Sequence, residues 1–411
     1  MPDLGPNLPA DDSARGATSA GTQVFVVTTP TGLATVCAAL ADGLFPGADR
    51  RVLLAGATVT GRASADLLEA FDAVRPLTDF ALTAENPRTL VLPRSEVAPG
   101  PALAAAFPAA RIDLYADGLA AYGPIRGPLA GGLDGRVDRL LHPDLVPGLR
   151  PVLSSGSAAR RTPISTDAVR KATDRLAARS EPVAGAEAGS VGLVLGHYLS
   201  ALGALDAAEE ERLNLEAALA VRDLGAARIV FAAPAGQPST VASLARRAAE
   251  LGLELEVRFD QRSVESWLAD PAVGFVAGCF PNGLSAADRL YGHAVRAVGV
   301  ELLLHELQPA ANGSRIPLAL ADQLYGERRG TLDVERLGVL VRAITYAMQP
   351  STFRRYQYAA AEIATADPAL LPRYLPVGRL LALGLAGPAG LRPAAARLVP
   401  RRLRRRVLAG R

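Results

Sequence analysis

The sequence predicts an α/β protein built from two Rossmann-like halves that face each other across a cleft. Short apolar runs alternate with amphipathic stretches, which is the pattern of βα units and a parallel sheet. The alternation begins near residue 23 and begins again near residue 190. A chain of 411 residues is long enough for two or three domains, and its 49% of hydrophobic residues can fill two sizeable cores.

The first half is predicted to span 22–185, after a disordered segment at 1–21 that is rich in Gly, Pro, Ala, Ser and Asp. Its predicted strands are 23–29, 51–59, 88–93 and 111–115, and its predicted helices are 33–44 and 63–74. Residues 155–190 connect the halves and contain a predicted helix at 166–179. No GxGxxG sequence follows the first strand, so a single dinucleotide-binding domain with an extension is the less favoured alternative.

The second half is predicted to span 186–350. Its predicted strands are 190–195, 228–232, 253–258, 273–279 and 298–304, and its predicted helices are 207–224, 239–251, 264–268 and 333–348. Residues 351–411 are predicted to form C-terminal helices and a basic amphipathic tail. Because the predicted sheets and their covering helices end before Pro372, we expect a chain truncated after that residue to keep a folded core.

Composition and charge argue against several classes of protein. The net charge of +3 is too small for a dedicated nucleic-acid binder. The chain has no apolar run long enough to span a membrane and no signal-peptide pattern, so we expect a cytoplasmic protein. Cys37 and Cys279 are isolated in apolar surroundings and are interpreted as reduced core thiols. No Cys/His cluster has metal-ligand spacing and no Asp-x-Asp pair occurs, so neither a metal nor a cofactor is expected.

The strand at 111–115 is followed by Ala116, Asp117 and Gly118. In a parallel α/β sheet, ligands bind in the crevice beyond the carboxyl ends of the strands. Asp117 would therefore present a carboxylate from a rigid element, and Gly118, which has no side chain, would leave its approach open. This pattern predicts a catalytic carboxylate, and the alternative is a simple Asp-Gly turn.

Four segments resemble the bacterial alpha-2,8-polysialyltransferase family. YADGLAAYG resembles its aspartate/glutamate-glycine motif, and VFVVTTPTGLATVCAAL (24–40) resembles its opening strand, loop and helix. VGLVLGHYLSALGALDAAEEE (191–211) is similar to the start of its second half, and GCFPNGLSAADRLYG (278–292) stands where the family has a Ser-Thr-Gly-Leu turn. The resemblance covers roughly 22–350. It implies a GT-B fold and transfer of sialic acid, or a related ulosonic acid, from its cytidine monophosphate (CMP) derivative to a glycan hydroxyl.

The resemblance also implies roles for particular residues. Asp117 corresponds to the general base. Glu265, in SVESWL (263–268), corresponds to a carboxylate that accepts the cytosine amino protons; the alternative is a solvated carboxylate in the first turn of a helix. Thr28, Thr29 and Thr31 lie in the first βα loop, where they would hold the sialyl carboxylate or simply cap the helix.

Two phosphate-binding motifs depart from the family pattern. Ala233 occupies the histidine position of a His-Pro pair before Pro234, and Pro281 and Asn282 replace a Ser-Thr pair. Each missing donor is worth on the order of 2–4 kcal/mol of transition-state stabilisation. Asn282 and Gly283 open a predicted helix and are candidate replacements at its positive end.

Two histidines are further candidates for the cleft. His197 follows the strand at 190–195, where the family has Gly-Gln-Tyr, and His305 follows the predicted strand at 298–304. The alternative for each is a hydrogen-bonded structural histidine. The literal dipeptide His142-Pro143 is interpreted as coincidental.

Residues 375–411 alternate apolar stretches with arginine and end in RLVPRRLRRRVLAGR (397–411). This pattern predicts a peripheral contact with anionic lipid; a polyanionic partner and a tail without a role are the alternatives. The expected partners are thus CMP-sialic acid or another nucleotide sugar, a glycan acceptor and a membrane surface, with no nucleic acid. Two other functions stay open, namely a catalytically silent glycan- or nucleotide-binding relative in surface-polysaccharide assembly and a transferase that uses another nucleotide sugar.

Overall fold

The computed structural model describes most of the chain between Gly21 and Ala386. The described residues are 21–78, 86–94, 100–125, 135–153, 158–177, 183, 185–196, 199–201, 203–233, 238–259, 262–307 and 309–386. His197, Pro234 and the arginine-rich segment 397–411 lie outside them.

The first half contains one parallel sheet of seven strands. They are β1 (Gly21–Val27), β2 (Ala48–Ala55), β3 (Ala73–Pro76), β4 (Thr89–Pro93), β5 (Arg111–Tyr115), β6 (Val137–Pro143) and β7 (Arg160–Ile164). Their order is β3-β2-β1-β4-β5-β6-β7. The chain moves outward in one direction from β1 and in the other from β4, so these two strands flank the topological switch point where such sheets bind ligands.

The second half contains a parallel sheet of five strands. They are β8 (Val191–Leu195), β9 (Arg228–Ala232), β10 (Leu255–Arg258), β11 (Val273–Gly278) and β12 (Ala294–Ala297), in the order β10-β9-β8-β11-β12. The switch point here lies between β8 and β11. The two open parallel sheets, each covered by helices, confirm the predicted α/β fold with two Rossmann-like halves in a GT-B-like arrangement.

Fifteen α-helices are described. They are α1 (Pro30–Ala41), α2 (Ala57–Arg62), α3 (Ala65–Leu68), α4 (Gly100–Ala106), α5 (Thr166–Ala177), α6 (Ala207–Asp223), α7 (Pro238–Glu250), α8 (Val264–Leu268), α9 (Pro281–Tyr291), α10 (Val300–Glu306), α11 (Arg315–Tyr325), α12 (Val334–Met348), α13 (Gln357–Ala366), α14 (Leu370–Tyr374) and α15 (Val377–Ala382). Two 3₁₀ helices cover Leu119–Tyr122 and Arg354–Tyr356. Within the described ranges, none of the helices has both the length and the apolar character needed to cross a membrane.

Three apolar cores hold the elements together. One lies between the first sheet and α1 and α5, and includes Phe25, Leu33 and Val169. Another lies between the second sheet and helices α6 and α7. The largest continues from the opposite face of the first sheet through the second half into α11–α15. The two halves and the C-terminal helices therefore share one continuous core.

Two predicted elements are wrong. The segment 298–304 is not a strand: β12 ends at Ala297, Gly299 adopts a left-handed φ of 67°, and α10 follows. Leu303 and Leu304 are buried while Glu301 is exposed, so this leucine run has one buried helical face. The predicted helix 63–74 breaks into the short α3 and then β3, which begins at Ala73.

The covering helices continue past Pro372, so the expected tolerance of truncation there is also wrong. Tyr374 and Leu380 are fully buried. The buried Arg315 donates hydrogen bonds to the carbonyl oxygens of Leu304, at the end of α10, and of Tyr374, at the end of α14. Residues 375–386 thus belong to the folded core, and 387–411 lie outside the described residues.

Candidate active site

Asp117 lies in the cleft, two residues beyond the end of β5. Its Oδ2 accepts a hydrogen bond of 3.2 Å from Oγ1 of Thr29. Thr29 is the N-cap of α1, and the same Oγ1 accepts a hydrogen bond from the Gly32 amide. The loops after β1 and β5 are therefore joined next to the switch point of the first sheet.

The pKa of Asp117 is raised. Burial is the main cause; the hydrogen bond from Thr29 opposes it, and the negative charge of Glu265 adds a smaller increase. A carboxylate whose pKa is closer to neutral is a stronger general base than an exposed aspartate.

Glu265 brings a second carboxylate to the cleft from the first turn of α8, a helix capped by the Ser263 hydroxyl. Its Oε1 accepts a hydrogen bond of 2.6 Å from Oγ1 of Thr31. Thr31 belongs to the first half and Glu265 to the second, so this hydrogen bond crosses the cleft.

Asp117 and Glu265 line the same cavity, whose volume is about 350 Å³. Helices α1 and α5 contribute one wall, and α8 and α9 contribute the other. The described lining residues are Thr31, Thr35, Asp117, Pro143, Leu145, Val169, Thr173, Leu195, Gly196, Val264, Glu265, Leu268, Phe280, Asn282, Gly283, Ala286, Leu290 and Tyr291. They include the two carboxylates but no arginine, lysine or histidine. This cavity is consequently better suited to uncharged hydroxyl-bearing or apolar groups than to a phosphate.

Asn282 makes the second contact across the cleft. It lies in the first turn of α9, so the predicted helix opening at Asn282-Gly283 is confirmed. Its Oδ1 accepts a hydrogen bond of 3.0 Å from the Leu119 amide in the loop after Asp117. A Cβ added to Gly118 would lie 2.4 Å from both Cγ and Oδ1 of Asn282. Gly118 is therefore required for close approach of Asn282 to the backbone beside the carboxylate.

A second cavity of about 780 Å³ lies on the other side of Phe280 and Asn282, both of which line the two cavities. Phe280 is 48% exposed, although it is a large apolar side chain. Arg94 also lines the larger cavity. It donates hydrogen bonds of 2.7 and 2.6 Å to the carbonyl oxygens of Ala120 and Gly123, which fixes the backbone that follows Asp117.

Glu210 of α6 stabilises the loop after β8. It is 2% exposed, and its carboxylate accepts hydrogen bonds of 3.0 Å from the backbone amides of Leu199 and Ser200. Leu199 lines the larger cavity, so Glu210 positions part of the cleft wall.

Arg94, Phe280 and Glu210 are residues of the site that were not predicted from the sequence. The helical spacing of Glu210 with Leu213 and Ala217 was a usable signal for burial, since all three lie on one face of α6. The contacts of Arg94 with a loop 26 residues away left no comparable signal.

The other sequence candidates are placed as follows. His305 is the penultimate residue of α10, is half-exposed, and its Nδ1 lies 3.0 Å from Oε1 of Glu306; it lines neither cavity. Thr28 is exposed in the loop after β1. Gly283 lines the smaller cavity, where an added Cβ would lie 2.8 Å from Cδ1 of Leu195. His197 and Pro234 lie outside the described residues, and Ala233 is buried just after β9.

His142 is buried at the end of β6 against the ring of Tyr122, with 5.8 Å between ring centroids. Burial lowers its pKa, so the imidazole is neutral at physiological pH. Its Nδ1 lies 3.1 Å from the Pro143 carbonyl oxygen.

Within the described ranges, no group of three or more His, Cys, Asp or Glu side chains is arranged to hold a metal ion.

Several solved structures are similar to the chain. Staphylococcus aureus MnaA, in a co-structure with UDP, is 11% identical over 75% of this chain and 89% of that chain, with a TM-score of 0.41. Acinetobacter baumannii MurG is 14% identical over 81% and 96%, with a TM-score of 0.39. Escherichia coli heptosyltransferase WaaC with ADP is 18% identical over 67% and 86%, with a TM-score of 0.34. At these identities the similarity concerns the fold alone. No protein-family model and no curated protein matches the chain.

Proposed function

We propose that this chain is a glycosyltransferase in which Asp117 removes the proton from an acceptor hydroxyl as the sugar is transferred from a nucleotide. The observation that carries the proposal is the position of Asp117. It extends from the end of β5 into a cavity between two Rossmann-like halves, and burial raises its pKa. The described lining of this cavity has no basic side chain, which suits uncharged groups such as an acceptor hydroxyl or a nucleobase.

For the donor we propose CMP-sialic acid, or the CMP derivative of a related ulosonic acid. The resemblance of the Asp117-Gly118 and Glu265 segments to polysialyltransferases supports this choice. Glu265 supplies a half-buried carboxylate of the kind that accepts hydrogen bonds from a cytosine amino group. The nucleotide then enters along Phe280 and the start of α9, where the first-turn amides and Asn282 are the available donors for its phosphate.

Another nucleotide sugar is the second candidate, and one observation favours it. The Glu265 carboxylate already accepts a hydrogen bond from Thr31. Binding of cytosine would have to replace or share this contact. A nucleotide that does not need Glu265 would bind without this cost.

Thermal unfolding in the presence of CMP, UDP, GDP and their sugars tests the donor. A ligand that binds only the native state raises the unfolding temperature, and at a given concentration a tighter ligand raises it more. We expect CMP and CMP-sialic acid to give the largest increase. A larger increase with UDP- or GDP-sugars would show that the donor is not a CMP-sugar, without affecting the proposed role of Asp117. No increase with any of these ligands would contradict a nucleotide-sugar transferase.

Glu265→Gln and Thr31→Val test cytosine recognition. The first variant keeps the size of the side chain but gives it an amide, and we expect it to weaken CMP binding by roughly 1–3 kcal/mol while UMP binding changes little. The second variant is the matched control: it removes the donor that now occupies Glu265 and should leave CMP binding unchanged or tighter. Calorimetry that finds equal losses for CMP and UMP would exclude Glu265 as the cytosine contact.

A further inference from the structure

At the end of the first sheet where its strands begin, one face carries a row of polar side chains. Gln23 of β1 is paired with Thr89 of β4, Thr89 with Arg111 of β5, and Arg139 of β6 with Arg160 of β7. These residues point to the same side as Phe25, Val91 and Leu141, which belong to the apolar core beneath α1 and α5. The sheet therefore changes from apolar to cationic along a single face.

A pocket of about 210 Å³ opens over this row, closed on one side by the loop from Leu44 to Gly47. The described residues that line it include four arginines and no acidic residue; the arginines are Arg88, Arg111, Arg139 and Arg160. It lies at the amino ends of the strands, whereas Asp117 follows the carboxyl end of β5, so the pocket is separate from the candidate active site.

The nearest carboxylates are shared among the arginines and lie outside the lining. Asp113, fully buried, is 2.5 Å from Nη2 of Arg139. Asp138 lies 3.3 Å from Arg160 and 3.9 Å from Arg111. Arg111 and Arg160 keep side chains that are 49% and 59% exposed, so a ligand in the pocket competes with Asp138 for them in partly solvated surroundings.

Two buried polar atoms in this pocket have no hydrogen-bond partner, namely Oε1 of Gln23 and Nε of Arg139. Gln23 is only 9% exposed. Burying a polar atom without a partner is unfavourable, and a ligand that supplies the partner removes this cost. The guanidinium needs an acceptor, and the amide oxygen of Gln23 needs a donor. A ligand that satisfies both carries an anionic group and a hydroxyl.

We propose that this pocket binds a small phosphate, either hydrogen phosphate or a phosphate monoester of a short polyol. Guanidinium groups pair with phosphoryl oxygens in bidentate geometry, and several arginines around one group are the usual arrangement for a doubly charged phosphate. Hydrogen phosphate and a phosphorylated polyol also carry a hydroxyl group that can donate a hydrogen bond to Oε1 of Gln23. This site is independent of the proposed transferase activity.

Thermal unfolding and calorimetry of the full chain with phosphate, glycerol 3-phosphate and sulfate, at constant ionic strength, test the proposal. We expect saturable binding of phosphate or glycerol 3-phosphate in calorimetry, together with an increase in unfolding temperature. Tighter binding of glycerol 3-phosphate would identify the monoester as the better ligand. Sulfate has no hydroxyl at neutral pH and should bind more weakly. Calorimetric heats that never saturate, or equal binding of sulfate, would overturn the assigned site.

Substitutions at the rim locate the binding. Arg111→Gln and Arg160→Gln should each weaken phosphate binding by about threefold to tenfold, and Asp138→Asn, which removes a competing carboxylate, should strengthen it. Arg212→Gln is the matched control. The Arg212 side chain is 59% exposed, like that of Arg160, and pairs with one carboxylate on α6. If Asn282→Ala weakens phosphate binding and the rim substitutions do not, phosphate binds in the cleft and the proposal is wrong.

Discussion

Gly118→Ala should disrupt the contact between the two sides of the cleft. Gly118 has φ −175° and ψ −163°, an extended conformation that alanine also adopts, so the backbone itself adds no strain. The added methyl group would lie 2.4 Å from Cγ and Oδ1 of Asn282, which must therefore turn away. Its hydrogen bond with the Leu119 amide, now 3.0 Å long, would then be lost.

The magnitude follows from that lost hydrogen bond. Leaving a buried amide without a partner costs about 1–3 kcal/mol. Replacing glycine by alanine also restricts the unfolded chain, which stabilises the protein by about 0.4–1 kcal/mol. We therefore expect Gly118→Ala to lower the free energy of unfolding by roughly 0–2.6 kcal/mol, measured by urea denaturation.

A double-mutant cycle with Asn282→Ala isolates the contact. In the Asn282→Ala background the obstacle is absent, so Gly118→Ala should have no cost and should stabilise the protein by about 0.4–1 kcal/mol. The sign of the substitution thus changes between the two backgrounds. Equal effects of Gly118→Ala in both backgrounds would show that Asn282 does not pack against Gly118 in solution.

Four further predictions concern the support of the site and the ends of the chain. Glu210→Ala should lower stability by roughly 2–3 kcal/mol in urea denaturation, since two backbone amides lose a charged acceptor, and an unchanged midpoint would exclude its supporting role. Truncation after Pro372 should unfold the chain because Tyr374 and Leu380 leave the core, whereas truncation after Ala386 should preserve a cooperative unfolding transition. The shorter deletion should nevertheless abolish sedimentation with anionic vesicles at low salt; retained sedimentation would remove the membrane role from 387–411. Because the pKa of Asp117 is raised, its contribution to stability is complete below the ordinary aspartate pKa and is lost as pH rises through the raised value. We therefore expect Asp117→Asn to be more stable than the parent only at the higher pH. A stability difference that does not depend on pH would contradict the raised pKa.

Local patterns in the sequence predicted the elements that carry the site. The apolar runs that become β1, β5, β8 and β11 are bounded by polar or glycine-containing loops, so their strands and the strand-end position of Asp117 follow from hydrophobic patterning. The pattern failed at 298–304, where leucines in a short helix gave the same apolar run that a buried strand gives. Runs of this length do not separate the two structures by periodicity.

The contacts that complete the site depend on tertiary packing. The Asn282–Leu119 hydrogen bond joins residues 163 positions apart, and the Thr31–Glu265 hydrogen bond joins residues 234 apart. Neither pairing leaves a trace in local composition. The local pattern predicted that Gly118 leaves the approach to Asp117 open, but Asn282 packs tightly against Gly118 instead. The resemblance predicted a role for Glu265 but not its hydrogen bond with Thr31.

The role of Asp117 as the base is tested most directly by the rate of sialyl transfer from CMP-sialic acid by Asp117→Asn. The control is Asp167→Asn, which removes an exposed carboxylate from α5. We expect Asp117→Asn to bind the donor with unchanged affinity and to turn over more slowly by about 10²–10⁴, while Asp167→Asn matches the parent. Transfer at the parental rate by a folded Asp117→Asn protein would exclude Asp117 as the base.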